Sequence, residues 1–323
     1  MTRHLLALLL LLGAAVSAQQ PSAPEIPFES VPNPIMLPPD IHLGEAAGVA
    51  LNSRGHIFVY TRSRRTQLFE FGPDGKFIRE IGKDLYGFEF AHTVRVDKDE
   101  NIWCVDEGSN MVIKFNPEGR VVMLLGRKWE AVEGPPEHPD PGAPPPQARD
   151  GYFARPTDIT WDPAGNSYVS DGYINSRIAK VDRHGAWVKS WGQRGAAQGE
   201  LNTPHTIAAD AKGNVYVGDR GNRRIQVFDG EGTFLKQFTN VEAPWAICIT
   251  PGPAQVLYSS DAVSGRIFKL DLDGHLLGWL GTFGKQPKEF GWIHEIACPS
   301  ENELYVGELL NWRVQKLLLH PTR

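Results

Sequence analysis

The chain contains 323 residues, of which 41% are hydrophobic, so it is long enough to bury one large core or two smaller ones. Its 33 basic and 38 acidic residues give a net charge of −5, which argues against nucleic acid or an anionic membrane surface as a partner. The three cysteines are far apart and define no disulfide framework. We therefore expect Cys104, Cys248 and Cys298 to be buried free thiols.

The N-terminus has the pattern of an export signal. Arg3 and His4 precede an apolar run over residues 5–16, and Val16-Ser17-Ala18 forms a small-residue cleavage site. The run is too short to span a bilayer, and no later segment approaches the ~20 apolar residues that a membrane helix needs. We predict a signal peptide over residues 1–18, removed near Ala18, and a secreted or periplasmic protein.

A repeated unit fills the chain after a Pro-rich, extended lead-in at residues 19–40. The unit has up to four short apolar strands separated by Gly, Asn and Asp turns. Its six copies span residues 48–82, 93–126, 158–192, 206–239, 246–281 and 295–319. Repeats of about 40 to 45 residues are typical of propeller blades, because one small sheet cannot bury its faces until neighbours stack around an axis. The sequence therefore predicts an all-β fold, a six-bladed β-propeller over residues 41–323.

Two segments depart from the repeat. The last copy contains only three strands and ends at Leu317-Leu318-Leu319, so we expect the N-terminal segment around residues 34–43 to add the fourth strand and close the ring. A Pro-rich insert at residues 127–156 joins a fourth strand to the next first strand. A loop of this length in a compact domain is usually functional or disordered, and its connections predict a wall or lid on the rim.

Three histidines, His92, His205 and His294, begin the first strand of the second, fourth and sixth copies. The equivalent positions of the other copies hold Ala47, Thr157 and Trp245. First strands line the channel of a propeller, and alternate blades of six are about 120° apart, so we expect the imidazoles to converge. Three nitrogen ligands with an open position are typical of catalytic zinc, although iron or another borderline ion is an alternative. The competing interpretation is three unrelated, hydrogen-bonded histidines.

Residues that follow the second strands are expected on the same rim as the histidines. Several recur in four of the six copies and are interpreted as scaffold, namely Asp106, Asp171, Asp219 and Asp261 with Arg177, Arg224, Arg266 and Arg313. Arg62, Tyr173 and Arg220 break the repeat instead. Two guanidinium groups and a phenol suit a substrate with a carboxylate and a weakly acidic hydroxyl, because Arg binds carboxylates bidentately and nearby cations lower the pKa of a phenol.

A resemblance to a known family rests on the run Asp171-Gly172-Tyr173-Ile174-Asn175-Ser176-Arg177, with Pro156-Thr157-Asp158 before it and Pro204-His205-Thr206 and Asp219-Arg220 after it. Together these resemble the NHL-repeat six-bladed propeller of peptidyl-α-hydroxyglycine α-amidating lyase, from about residue 48 to residue 316. By this resemblance His92, His205 and His294 match the zinc ligands. Tyr173 matches the proposed base, and Arg62 and Arg220 match the active-site arginines.

The resemblance also implies a structural calcium ion, held by the backbone carbonyls of Val49 and Val94 and by a carboxylate at Glu295. The family has Asp at this last position, and Glu is one methylene longer. Trp292 stands where the family has Met, two residues before His294, and we expect it to contact the substrate.

The implied function is that of a metal-dependent lyase that cleaves a carbinolamide N–C bond and releases an amide and glyoxylate. We expect a small-molecule or peptide substrate with a carboxylate held by Arg62 and Arg220, a proton taken by Tyr173, a monomer, no nucleic-acid partner and no membrane span. The alternative is a non-catalytic NHL propeller that binds a peptide, protein or glycan at its rim, with the metal as a structural plug. A calcium-dependent lactonase-type propeller fits less well, because such sites are rich in carboxylates and amides.

Overall fold

Six four-stranded antiparallel sheets form a ring in the computed structural model, which describes residues 23–128 and 148–320, and this confirms the predicted six-bladed β-propeller. The predicted signal peptide at residues 1–18 and residues 129–147 of the Pro-rich insert lie outside the described residues. None of the helical structure in the described ranges is long and apolar enough to cross a membrane.

The strands follow one another in chain order. An N-terminal strand comes first, β1 at Phe28–Val31. Blade 1 contains β2 to β5 at Glu45–Leu51, Ile57–Arg62, Gln67–Phe71 and Phe77–Ile81. Blade 2 contains β6 to β9 at Ala91–Val96, Ile102–Asp106, Met111–Phe115 and Val121–Gly126. Blade 3 contains β10 to β13 at Asp158–Trp161, Ser167–Asp171, Arg177–Val181 and Trp187–Trp191.

The second half of the ring has the same pattern. Blade 4 contains β14 to β17 at Pro204–Ala209, Val215–Asp219, Arg224–Phe228 and Phe234–Phe238, with a 3-10 turn at Arg220–Asn222. Blade 5 contains β18 to β21 at Pro244–Ile249, Leu257–Asp261, Arg266–Leu270 and Leu276–Leu280. A short parallel pair, β22 and β23, follows at Thr282–Phe283 and Glu289–Phe290. Blade 6 contains β24 to β26 at Ile293–Ser300, Glu303–Glu308 and Arg313–Leu319.

The hydrophobic core lies between the blades. Each of six buried clusters combines residues of two neighbouring blades, as where Tyr60 of blade 1 packs with Ile113 and Phe115 of blade 2. Inner strands such as β7 are buried over their whole length, whereas the outer strand β9 is largely exposed. A single blade therefore buries its apolar faces only against its neighbours, as expected for a repeat architecture.

The ring is closed by β1, which pairs antiparallel with β26 and sets Phe28 opposite Leu319 and Val31 opposite Lys316. Closure by an N-terminal strand is thus confirmed, but its predicted position at residues 34–43 is wrong. Prolines in that segment lack the N–H group that an edge ladder needs. Its apolar side chains, including Ile35 and Leu37, pack against the cluster between blades 1 and 6 instead.

The expectation of three free thiols is wrong for two of the cysteines. Cys248 and Cys298 form a disulfide between β18 and β24, the first strands of blades 5 and 6, with Cα atoms 6.2 Å apart. Cys104 is a buried free thiol. The pairing is not visible in the sequence because 50 residues separate the partners and only the ring brings them together.

The recurring acidic residues at the ends of the second strands are scaffold, as predicted. Asp171 accepts hydrogen bonds from Arg177 Nε at 3.0 Å and from the backbone N–H of Ala154 at 2.8 Å. Asp219 likewise accepts from Arg224 Nε at 2.8 Å. These carboxylates fix the turns of the rim and are not free to take part in chemistry.

Removing the residues up to Val31 is expected to produce aggregated protein, because the outer edge of β26 then presents unpaired backbone groups. Size-exclusion chromatography measures the outcome. A chain that begins at residue 23 retains β1 and is the matched control, which should elute as a single soluble species. A soluble protein without β1 and with the same Tm would contradict the assigned closure.

Candidate metal centre

Each of the three histidines lies at a β-bulge in the first strand of its blade. The register of the first two strands shifts between Ala91 and Thr93 in blade 2, and equivalent shifts occur around His205 and His294. A bulge leaves one residue without a partner and re-aims its side chain. The side chains of these bulged residues are almost completely buried, with 1 to 2% exposure.

The structure brings the three imidazoles together. Their ring centroids lie 4.6 Å apart for His92 and His205, 4.5 Å for His92 and His294, and 5.0 Å for His205 and His294. One ligand nitrogen from each ring lies within 4.8 Å of the other two. Among the described residues, this is the group of His, Cys, Asp and Glu side chains whose geometry is compatible with a metal ion.

The ring nitrogens are oriented by the neighbouring blade. His205 Nδ1 lies 2.6 Å from the carbonyl oxygen of Trp245, and His294 Nδ1 lies 2.7 Å from that of Ala47. A carbonyl only accepts, so both Nδ1 atoms carry the proton and both Nε2 atoms present a lone pair.

His92 reaches the same state through a hydroxyl. Its Nδ1 lies 3.1 Å from Thr93 Oγ1, and that hydroxyl donates its own proton to the carbonyl of Thr157 at 2.7 Å. Thr93 Oγ1 therefore accepts from His92 Nδ1, which leaves Nε2 unprotonated. Each imidazole is thus supported by the residue at the equivalent channel position of the following blade.

All three imidazoles are neutral at neutral pH. Burial lowers the pKa of His92 and His205 well below the usual value, and it lowers the pKa of His294 to about 3, with Arg62 adding to the effect. Metal ions bind the neutral form of histidine, so no proton has to be removed before binding.

The chemistry of this donor set fits a divalent borderline ion. His294 Nε2 is buried and has no hydrogen-bond partner among the described residues. A buried acceptor without a partner costs about 1–3 kcal/mol, and a cation shared with the other two imidazoles would remove that cost. Three nitrogen donors favour zinc, with other borderline ions next.

The phenol of Tyr173 lies beside the ligand nitrogens, as its place in the Asp-Gly-Tyr run suggested. Its Oη is 3.3 Å from His92 Nε2 and 3.1 Å from His205 Nε2. Gly172 is required here, because a Cβ at that position would lie 2.0 Å from the carbonyl oxygen of Pro204.

The expected lowering of the phenol pKa is outweighed by burial. Burial raises the pKa of Tyr173, and Glu107 adds to this, while Arg220 and Arg62 oppose the increase. In the metal-free protein the phenol is therefore protonated at neutral pH and donates a hydrogen bond to one of the two nearby imidazoles.

The two predicted arginines have different surroundings. The Arg220 guanidinium carbon lies 4.5 Å from the ring centroid of Trp245 and 5.4 Å from that of Tyr173. In the part of the chain that the structure describes, no carboxylate lies within ion-pair distance of Arg220. Arg62 is held by the protein, since its Nε donates to Glu45 at 2.8 Å. Arg220 is the guanidinium that is available to an incoming anion.

Sequence reasoning missed a buried carboxylate and a third arginine at this site. Glu107 is 5% exposed, and its oxygens lie 3.1 Å from Arg155 Nε and 3.8 Å from Arg62 Nη1. Burial raises the pKa of Glu107, and these guanidinium groups oppose the increase. Glu107 directly follows Asp106, as Arg220 follows Asp219, so the repeat contained a signal for it. Arg155 lies in the insert, outside the repeat.

The residues implied for calcium do not fit a calcium ion. Val49 and Val94 are buried in the first strands β2 and β6, but Glu295 forms an ion pair with Arg95 Nη2 at 2.9 Å. The same guanidinium binds Asp158 at 2.7 and 3.0 Å. Arg95 thus supplies the positive charge at this level of the channel, and a calcium ion would have to displace it.

Trp292 lies at the mouth of the channel and is 40% exposed. Its ring centroid is 5.6 Å from that of Trp245, the residue whose carbonyl supports His205. The two indoles form an apolar wall next to the histidines.

The comparisons with known proteins identify the repeat and several relatives. The NHL repeat model matches residues 201–228, which contain the first three strands of blade 4. The chain is therefore a six-bladed β-propeller that contains one match to the NHL repeat. The chain is 26% identical to peptidyl-glycine alpha-amidating monooxygenase A of Xenopus laevis over 83% of its own length and 31% of that protein.

Two further relatives have shorter chains. The chain is 26% identical to a probable peptidyl-alpha-hydroxyglycine alpha-amidating lyase of Caenorhabditis elegans, over 87% of this chain and 84% of that one. It is 30% identical to NHL repeat-containing protein 3 of Mus musculus, over 63% and 58% of the two chains. The chain spans about a third of the length of the Xenopus monooxygenases, with 26 and 27% identity to forms A and B. Its resemblance to these enzymes is therefore distant.

The fold is similar to that of solved lyases. Virginiamycin B lyase from Staphylococcus aureus superposes with a TM-score of 0.59 at 14% identity, over 92% of this chain and 100% of that one. This likeness shows the shared propeller fold.

Lowering the pH from 6.5 toward 3 is expected to destabilise the metal-free protein. Above pH 6.5 the three imidazoles are neutral in both states. Below it the unfolded chain takes up protons, whereas folded His294 does so only near its pKa of about 3, so the free energy of unfolding falls. Urea unfolding over this range, with a chelator present, measures the effect.

His294→Asn should make this pH dependence shallower, by up to about 1.4 kcal/mol per pH unit. The matched control is His184→Asn, at an exposed position on the outer part of blade 3. The same slope in His294→Asn as in the unmodified chain would show that the imidazole is not held neutral.

Added calcium is expected to leave the Tm of the zinc-loaded protein unchanged, because Arg95 occupies the cationic position. Arg95→Met should lower stability by about 3–5 kcal/mol, since it leaves Asp158 and Glu295 buried without their partner. Arg65→Met removes an exposed pair with Asp84 and should cost less than about 1 kcal/mol. A Tm that rises with calcium concentration in the unmodified protein would contradict this assignment.

Proposed function

We propose that the protein is a divalent-metal-dependent lyase that cleaves the N–C bond of an N-acylated α-hydroxyglycine. The products are an amide and glyoxylate, R-CO-NH-CH(OH)-COO⁻ giving R-CO-NH₂ and OHC-COO⁻. The observation that carries this proposal is the convergence of three unprotonated imidazole nitrogens, two of which lie within 3.3 Å of the phenol oxygen of Tyr173. The guanidinium of Arg220, which has no carboxylate partner among the described residues, lies beside the same phenol.

His92, His205 and His294 would hold the ion through their Nε2 atoms. When bound there, a divalent ion supplies Lewis acidity, which lowers the pKa of a hydroxyl that it contacts. Arg220 binds the substrate carboxylate, because its guanidinium has no carboxylate partner in the described part of the chain. Arg62, fixed by Glu45, supports the same negative charge at the mouth.

Tyr173 moves the proton. It acts as the phenolate, a form that the bound divalent ion and the guanidinium of Arg220 would favour over the protonated phenol of the metal-free protein. The phenolate Oη takes the proton of the substrate hydroxyl while the C–O bond gains double-bond character. The C–N bond then breaks, its electron pair stays on the amide nitrogen, and Tyr173 Oη returns the proton to that nitrogen. No proton is gained or lost overall, so one phenol serves as base and then as acid.

Several features support parts of this proposal. The relatives named as amidating enzymes cover most of the chain. The disulfide between Cys248 and Cys298 is typical of an oxidising compartment, which supports the proposed export to the periplasm or medium.

Purified, zinc-loaded protein is expected to release glyoxylate from N-benzoyl-α-hydroxyglycine faster than the uncatalysed reaction. Tyr173→Phe should lower kcat by about 10²- to 10⁴-fold, the usual contribution of a general acid–base group. Tyr86→Phe, at an exposed position on the same rim, is the matched control. Chelation should abolish turnover, and zinc should restore it. Glyoxylate release that is independent of metal would contradict the proposal.

A second candidate function is binding without catalysis at the rim. It is favoured by the relative with 30% identity, whose name refers only to its NHL repeats. In that case the metal-loaded protein would bind peptides, proteins or glycans and would release no glyoxylate.

A further inference from the structure

One side of the channel mouth is aromatic. The ring centroid of Trp245 lies 5.2 Å from that of His205 and 6.2 Å from that of His294. Trp292 continues this surface outward, with its ring 5.6 Å from Trp245. The guanidinium carbon of Arg220 also lies over Trp245, 4.5 Å from the ring centroid. A molecule that contacts Arg220 and the histidines therefore meets the indole surface of Trp245.

The opposite side of the mouth is charged. Arg155 carries its guanidinium 5.9 Å from the ring centroid of Tyr173 and binds Glu107. Arg155 and Trp292 have the same backbone conformation, with φ of 58° and 55°, and each lies two residues before its blade's channel position. The repeat thus places equivalent side chains at the mouth in two blades, and one of them is charged whereas the other is aromatic.

Further exposed apolar residues lie near Trp292 on the solvent side. Leu310 is 47% exposed, and its N–H donates to the carbonyl of Gly291 at 3.1 Å, which fixes it next to Trp292. Phe283 is 51% exposed in the short strand β22, which pairs with the strand before Trp292. Exposed apolar residues beside a pocket that holds a few polar groups are typical of a ligand site.

We propose that Trp245 and Trp292 bind the acyl group of the substrate and select large apolar acyl groups, aromatic or long aliphatic. This inference rests on the proposed function. The reacting carbon carries a hydroxyl, a carboxylate, a hydrogen and the acylated nitrogen. With the hydroxyl at the imidazoles and the carboxylate at Arg220, the acyl group extends along the side of the mouth that lies away from Arg155 and Glu107. That side is the indole wall.

The first experiment compares kcat/KM for the N-acetyl, N-benzoyl and N-decanoyl forms of α-hydroxyglycine. The proposal predicts at least about tenfold higher kcat/KM for benzoyl and decanoyl than for acetyl, which corresponds to about 1.4 kcal/mol. Trp292→Ala and Trp245→Leu should bring this ratio toward one, mainly through KM. Trp312→Ala is the matched control, because Trp312 is exposed on the same rim and should leave the ratio unchanged. A ratio near one in the unmodified protein would overturn the proposal.

A second experiment separates this proposal from the proposed function. N-Decanoylglycine and N-acetylglycine lack the hydroxyl and cannot be cleaved, so calorimetric titration of the zinc-loaded protein measures binding alone. At least tenfold tighter binding of the decanoyl compound, lost in Trp292→Ala, supports the apolar subsite even if no α-hydroxyglycine is cleaved. Equal binding of the two compounds, or a preference that Trp292→Ala retains, contradicts the subsite even if glyoxylate is produced.

Discussion

A β-bulge at the start of the first strand is the local feature on which the site depends. It turns the side chains of His92, His205 and His294 toward the axis of the ring. The proton of each imidazole is then fixed at Nδ1 by a carbonyl of the following blade, directly for His205 and His294 and through the Thr93 hydroxyl for His92. The ligand geometry is therefore a property of the closed ring, since no blade contains both a histidine and the carbonyl that orients it.

The adjacent level of the channel is organised by one guanidinium. Arg95 from blade 2 binds Asp158 of blade 3 and Glu295 of blade 6, and it donates to the carbonyl of Ile247 in blade 5 at 3.2 Å. Thr206 of blade 4 donates to the same Asp158 at 2.9 Å. Five blades meet in this cluster, so a side chain performs the linking role that the family resemblance assigned to calcium. Neutral imidazoles and a cluster of one guanidinium with two carboxyl groups thus occupy neighbouring levels.

The repeat made much of this structure predictable, because residues at the same place in each copy occupy equivalent places around the ring. That equivalence predicted the six blades, the converging histidines and the position of Tyr173 on the same rim. Features that join different copies had no such signal, such as the bridge from Cys248 to Cys298 and the occupation of the channel by Arg95. Glu107 was predictable from its equivalence to Arg220, whereas its burial between two guanidinium groups depends on Arg155, which lies outside the repeat.

Zinc K-edge X-ray absorption on untagged protein, loaded with one equivalent of zinc, tests the central claim most directly. The account predicts nitrogen or oxygen ligands at about 2.0–2.1 Å, with the outer-shell scattering of three imidazoles for each zinc. His294→Ala should show one imidazole fewer. A first shell dominated by sulfur, or outer-shell scattering from fewer than two imidazoles in the unmodified protein, would contradict the assignment of the channel histidines as metal ligands.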